Sequence, residues 1–485
     1  MPTTSRPHGP RRPLPGAEPM AGIGFELRRL SSRDEILGPV AAVAHAAIVA
    51  AGPWLYTVMA ILVIGEAASP LIGEDAMATF RVLVVYVFSL SLVGTSPVAM
   101  VGTRVLADSL YRRQYEDVRS VFVLTLLAAS AATAILSCLV FVLLLRVPAD
   151  VAFAGIAGVQ IVSMVWVGLA FCGAVRDYLQ VTLAFVTGLL AGVGLAVTAA
   201  LHGYGPVPMV WGLAAGFMIV FLWLTARFAS TFPSPCRSLA AAQAAFTARL
   251  RCSPSLAIGA TAGAVSVWID KWIIWTSGYG ERVEAGLIHA PLYDGPMFIA
   301  SLTVVPALAL FVTSLETTFF DRYRAYFQAI DTHATLKNIR AQGRILERET
   351  TRTLANIMVV QTALCVIVVL TAPAIVEAVG LQFRQIGILR MGTVGALFQY
   401  LFMSCSALLI FFDATRVYAT LQLIFLGSLA ALTVLVSQFE PGSLGTGYML
   451  ACIVSGFASL FALLKVLGSI DYRVFVGSAT QARPV

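Results

Sequence analysis

The chain is 485 residues long, 59% hydrophobic and only 12% charged, with a mean hydropathy of +0.86. That leaves too little polar surface for a water-soluble protein of this size and selects a polytopic membrane protein whose apolar runs each cross about 30 Å of hydrocarbon. The formal charge of +7 sits in the connections between those runs, which is a topogenic pattern and excludes a nucleic-acid footprint.

The runs do not alternate polar and apolar, so they are not barrel strands. In lipid each backbone group must be satisfied within its own segment, which leaves helices. Residues 1–19, MPTTSRPHGPRRPLPGAEP, lack the apolar core of a signal peptide and read as a disordered extension or a mis-assigned start, with Met20 the better start. Spans are expected at 39–66, 81–103, 120–145, 151–174, 181–201 and 209–231. After a break they resume at 255–277, 293–319, 353–376, 387–412, 417–436 and 448–469. With the N-terminus in the cytoplasm, 26 of the 32 Lys and Arg residues fall on the cytoplasmic side, which sets the orientation and returns the C-terminus to the cytoplasm.

The expected plan is an all-α polytopic membrane protein of about twelve transmembrane helices, arranged as two pseudo-symmetric six-helix bundles around a central cavity. The first bundle takes 20–231, a cytoplasmic linker 232–254, and the second bundle 255–470 with a cytoplasmic basic loop at 321–352. Residues 471–485 form a cytoplasmic tail. Pro97 in span two and Pro306 in span eight each precede a cytoplasmic cluster of aromatics and arginines, as a duplicated transporter would show.

Chemistry is sparse. The three lysines, Lys271, Lys337 and Lys465, do not follow a glycine, so no phosphate loop is present. The five histidines are scattered and the seven cysteines show no paired spacing, so no metal, cofactor or disulfide is expected. The outer loops are too short for a catalytic domain, and an enzyme is the weaker class.

The polar residues inside spans are therefore the candidates. SVWIDKWIIW, residues 266–275, sets Asp270 about 22 Å from the inner end of span seven. Asp270 either lines the transport path or pairs inside the protein, while Lys271 either joins it there or snorkels outward beside Trp268, Trp272 and Trp275. Glu316, Arg390 and His45 are weighed in the same way, as path residues or as structural contacts. Gln361, Gln399, Tyr86 and Tyr400 either bond sugar hydroxyls or join helices. Gly52 and Pro53, followed by Trp54, interrupt the ladder of span one, and Pro97 and Pro306 kink their helices. Arg340, Arg344, Arg348 and Arg352 recur every four residues, a basic ridge that either follows from positive-inside bias alone, the default, or docks anionic lipid or a partner protein.

Four stretches resemble the PelG family of bacterial Pel exopolysaccharide systems. They are MAGIGFELRRL from Met20, AAGPWLYTVMAILVIG, IDKWIIW, and IHAPLYDGPMFIASLTVVPALALFVTSLETTFFDRYRAYF. The likeness runs from Met20 to about residue 475. It implies membership of the large group that holds multidrug exporters and lipid-linked oligosaccharide flippases. It also implies export of the N-acetylgalactosamine-rich Pel polysaccharide across the bacterial inner membrane for the biofilm matrix. The implied partners are a cytoplasmic glycosyltransferase and further Pel inner-membrane components. Two alternatives stay open: a lipid-linked oligosaccharide flippase or drug antiporter of the same superfamily, and a scaffold that transports nothing. Span one has only His45 before Glu66 at its outer end, so it lacks the buried acid that drug antiporters tend to keep there.

Overall fold

The computed structural model describes residues 37–175, 178–473 and 475, with backbone alone for 37–51, 174–175, 178 and 316–317. The first bundle comprises α1 (Leu37–Ile72), α2 (Glu74–Tyr111), α3 (Val118–Cys138), α4 (Ala149–Val175), α5 (Tyr178–Leu201) and α6 (Pro206–Thr231). A single residue, Gly73 at φ +85°, separates α1 from α2, a left-handed conformation that glycine adopts without steric cost. The linker folds as α7 (Leu239–Cys252), with the Ser238 hydroxyl accepting from the Ala241 amide as its N-cap.

The second bundle starts with α8 (Pro254–Ser266) and α9 (Ile269–Trp275), two pieces of one span bent by 45° at residues 267–268. A hairpin follows, β1 (Glu281–Arg282) paired antiparallel with β2 (Ile288–His289). Span eight is also in two pieces, α10 (Pro291–Leu302) and α11 (Val305–Ser314), and it continues through a π turn into α12 (Phe320–Asp331). The remaining helices are α13 (Leu336–Ala378), α14 (Gln385–Phe411), α15 (Thr415–Val436) and α16 (Gly445–Gly468). Among the described residues eleven helices are long and apolar enough to cross a membrane, or twelve with the bent α8–α9 pair taken as one span, which gives one for each expected run.

The packing repeats with a shift of six spans. In the first bundle α6 packs on α4 and α5, α2 on α3 and α4, and α1 on α5. In the second α16 packs on α14 and α15, α14 on α10 and α13, α11 on α13, and α8 on α15. Between bundles α1 meets α11 and α2 meets α8, so span one faces span eight and span two faces span seven. These are one contact seen twice, as a pseudo-two-fold axis requires. Small residues allow the closest approaches. A Cβ on Gly188 of α5 would lie 2.6 Å from the Gly216 carbonyl of α6, so these backbones touch as in other membrane interfaces built on small residues.

One end of the molecule carries the hairpin and the other carries α7, α12 and the arginine-rich start of α13. They are called here the hairpin end and the basic end. At the hairpin end His289 is half-buried, and burial first, then Arg81, holds its imidazole below the usual histidine value, against the opposing pull of Glu281. Its proton is therefore taken up in the unfolded chain before the folded one. The stability it contributes is complete above about pH 6.5 and declines as the pH falls below it. Thermal unfolding followed from pH 8 down to pH 5 is expected to show this decline, and His289→Gln is expected to reduce the slope.

Candidate transport cavity

A cavity of about 340 Å³ lies between the two bundles in the half of the molecule toward the basic end. From the first bundle α2 contributes Thr95, Ser96 and Thr103, and α4 contributes Trp166 and Ala170. From the second, α8 contributes Ala260, Gly263 and Ala264, and α15 contributes Tyr418. Two smaller cavities, about 30 Å³ and about 20 Å³, lie within the first bundle and at the basic end of the second. No Asp, Glu, Lys or Arg lines the large cavity among the described residues.

Its walls follow from local chemistry. Pro97 sits in the middle of the α2 wall without breaking that helix, and its missing N–H leaves the Val93 carbonyl without an i+4 donor. The Ser96 and Thr103 hydroxyls donate to the carbonyls of Leu92 and Ala99 at 2.6 and 2.9 Å, which leaves their oxygens as acceptors. The Trp166 indole donates to the Ser91 hydroxyl at 3.2 Å, which fixes its ring. Tyr418 lies over Gly259, where a Cβ would collide with the ring, and Gly263 makes room for Gln422 one turn further on. The wall thus combines acceptors, aromatic faces and small residues with the apolar side chains of Leu92 and Met100.

Both ends of the inter-bundle seam are fastened. Toward the hairpin end the Tyr86 hydroxyl donates to the Ile288 carbonyl at 3.0 Å, and its ring lies 5.0 Å from that of Trp275. The Trp54 and Phe298 rings meet across the same seam at 6.3 Å. Toward the basic end Arg104, next to the cavity residue Thr103, reaches Asp413 of the α14–α15 connection at 3.0 Å. Asp413 holds a left-handed φ of +52°, a conformation that Asp tolerates better than most residues.

The residues singled out from sequence fall in different places. Asp270 is 1% exposed and points into the second bundle, where it accepts from the Tyr293 hydroxyl at 2.8 Å and from Lys271 at 3.2 Å. Lys271 also donates to the Val267 carbonyl at 3.2 Å, beside the α8–α9 break, and stands 5.8 Å from the Trp268 ring centre. Adjacent helix positions diverge by about 100°, yet these two meet because the lysine folds back over the break. A second carboxylate nearby, Asp294, accepts from the Trp275 indole at 2.9 Å and from the Ala290 amide at 3.0 Å.

Arg390 is exposed on α14. Its Nε donates at 3.1 Å to the Val369 carbonyl of α13, which is the carbonyl that Pro373, four residues on, leaves without a backbone donor. Tyr86 joins the bundles, and Gln399 accepts from Tyr448 at 2.5 Å. Gln361 and Tyr400 are buried with polar atoms lacking a protein partner. The side chains of His45 and Glu316 lie outside the described residues. Pro53 stays within α1, with the Thr57 hydroxyl on its carbonyl at 2.8 Å, and Gly52 packs on Tyr56. Pro306 follows the break between α10 and α11. Arg340, Arg344, Arg348 and Arg352 are all exposed on α13.

Sequence reasoning sought charge in the spans, and so passed over the uncharged wall. The spacing Gly259-x-x-x-Gly263 was the one signal that α8 makes an unusually close approach.

Solved structures with the same arrangement are transporters. One, titled the outward-facing conformation of a multidrug resistance MATE family transporter of the MOP superfamily, matches with TM-score 0.65 at 15% identity over 93% of this chain and 97% of that one. A MOP superfamily transporter from Pyrococcus furiosus matches with TM-score 0.62 at 14% identity over the same shares. An inward-facing MATE family transporter gives 0.58 at 14% identity, over 88% and 99%. The chain therefore has the fold seen in these MATE family and MOP superfamily structures. The chain belongs to the PelG family, whose model, described as "Putative exopolysaccharide Exporter (EPS-E)", matches residues 20–475. No curated protein matches it.

Two outcomes follow. Gly259→Ala is expected to push the Tyr418 ring off its seat and reduce polysaccharide export while the protein still reaches the membrane, measured as secreted polymer against membrane-inserted protein. Arg390→Ala is expected to cost about 1 kcal/mol or more of stability, and to cost less in a Pro373→Ala background that restores the backbone donor. A double-mutant cycle on thermal unfolding reads that difference.

Proposed function

We propose that the cavity between the bundles is the binding segment of a path that exports the Pel polysaccharide, an N-acetylgalactosamine-rich polymer, from the cytoplasm to the periplasm. The observation that carries this reading is the wall itself: hydroxyl oxygens from α2 with Trp166 and Tyr418 from opposite bundles, and no ionised side chain among the described residues. Such a wall offers hydrogen-bond acceptors to sugar hydroxyls and aromatic faces to sugar rings. A site for cationic drugs would instead hold a carboxylate. Membership of an exopolysaccharide exporter family supports the same cargo.

In this reading the protein resides in the inner membrane with both termini cytoplasmic, because the basic end takes the side that lysine and arginine prefer. Residues 20–231 and 255–470 move as two bodies joined through 232–254. Energy comes from chain elongation by a cytoplasmic glycosyltransferase, with other Pel inner-membrane components completing the assembly. Asp270 and Lys271 hold the upper wall in shape, Arg390 braces α13, and Glu316 and His45 remain path candidates.

The test is co-reconstitution with the glycosyltransferase and a nucleotide sugar in vesicles oriented with the basic end outward. Polymer is expected inside the sealed vesicles, protected from added glycosidase. Trp166→Ala with Tyr418→Ala is expected to lower that protected polymer by about tenfold. Polymer found only outside would establish a scaffold. Full protection with the double variant would remove the cavity from the path.

A further inference from the structure

The basic ridge on α13 is continuous with a membrane span, and that continuity bears on what it binds. No Asp, Glu, Lys or Arg occurs between Arg352 and Glu377. This run of 24 residues is about 36 Å of helix, so the hydrocarbon must lie within it. The same helix begins at Leu336 without interruption. Arg352 therefore stands at the headgroups, and Arg344 and Arg340 stand about 12 and 18 Å beyond them. At physiological salt the Debye length is about 8 Å, so lipid charge acts on Arg352 and Arg348 and is screened at the other two.

The opposite face of this segment is already occupied. Ile339, Gly343, Leu346 and Thr350 are buried, and Gly343 lies under the Tyr326 ring of α12. The Tyr326 hydroxyl donates to Asp471 at 2.8 Å, and Tyr323 packs on Phe412. The two helices thus form a hairpin stalk, fixed at its base, with the arginines on its free face. Elsewhere at this end Arg104 and Arg249 have carboxylate partners in Asp413 and Asp108. The four ridge arginines have none among the described residues. Outside the described residues, 1–36 hold six arginines against four acids, and 476–485 hold one arginine and no Asp or Glu, so these segments carry no acidic excess. A second copy would present the same charge.

We propose that Arg340 and Arg344, with Arg348 and Arg352 below them, form a docking surface for a partner protein that presents an acidic helix with carboxylates every four residues. The repeat of the ridge matches the repeat of such a helix, and Arg–carboxylate pairing gives it register. The surface rests on the membrane placement of α13 and is independent of the cargo.

The test uses full-length protein in nanodiscs of phosphatidylcholine. The probe is a stapled helical peptide with glutamate at every fourth position, and the control has the same composition shuffled. The patterned peptide is expected to bind wild type, and Arg340→Glu with Arg344→Glu to weaken it by about tenfold or more, with Arg340→Gln/Arg344→Gln intermediate and thermal unfolding unchanged. Adding phosphatidylglycerol to the discs is expected to leave that difference in place. In cells, a photo-crosslinker at position 344 is expected to capture a protein whose own acid-to-lysine reversal restores export to the double glutamate variant. Equal binding of the shuffled peptide, capture of lipid or of a second copy only, or wild-type export by the double glutamate variant would each overturn the proposal. The peptide and capture measurements do not depend on which polymer is moved, so their failure is separable from failure of the transport reading.

Discussion

Hydrocarbon offers a helix no hydrogen bonds, and every departure from regular backbone inside it must be made good by another part of the protein. That constraint organises this molecule. Where Pro373 strips the Val369 carbonyl of its donor, Arg390 arrives from the next helix. Where span seven bends, the Lys271 ammonium reaches the Val267 carbonyl and its charge is balanced by Asp270. The charged pair embedded among tryptophans is thus joined to the break in its own span. Asp270 is held on its other side by the buried Tyr293, and losing Lys271 would leave its buried carboxylate without a countercharge, a loss worth several kcal/mol in comparable settings.

With the backbone repaired locally at these two places, a cavity lies between the bundles. The reciprocal contacts of span one with eight and two with seven place α2 and α8 on opposite walls, α2 with hydroxyls beside Leu92 and Met100 and α8 with small residues in front. The fastenings differ in kind. Aromatic packing and a buried hydroxyl hold the seam toward the hairpin, whereas the basic end relies on an ion pair whose partners are 36% and 51% exposed. Water competes with such a pair, and it is worth about 0–1 kcal/mol, so the basic end is the weaker of the two closures.

Much of this architecture was legible in the chain. Each of the twelve apolar runs became a span because length and hydropathy decide that outcome alone. The breaks at 267–268 and 303–304 were not legible, since Trp, Val and Thr also suit regular helix. Nor was the union of the basic loop with span nine, where a change in polarity along 336–378 suggested two elements and the backbone makes one. The partnership of Arg390 with Pro373 and of Gly259 with Tyr418 depends on which helices are neighbours, and hydropathy carries no such information. The wall was hidden for a related reason: threonine, alanine and glycine facing a cavity have the composition of threonine, alanine and glycine facing a helix.

The 43 residues of α13 amount to about 64 Å of unbroken rod, anchored in the second bundle at one end and free on one side at the other. A helix of that kind resists bending over its own length. A push or twist applied near Arg340 therefore arrives at α14, the helix that braces it, without being absorbed in a loop. Machinery gripping the tip would have a lever on one half of the carrier and none on the other half.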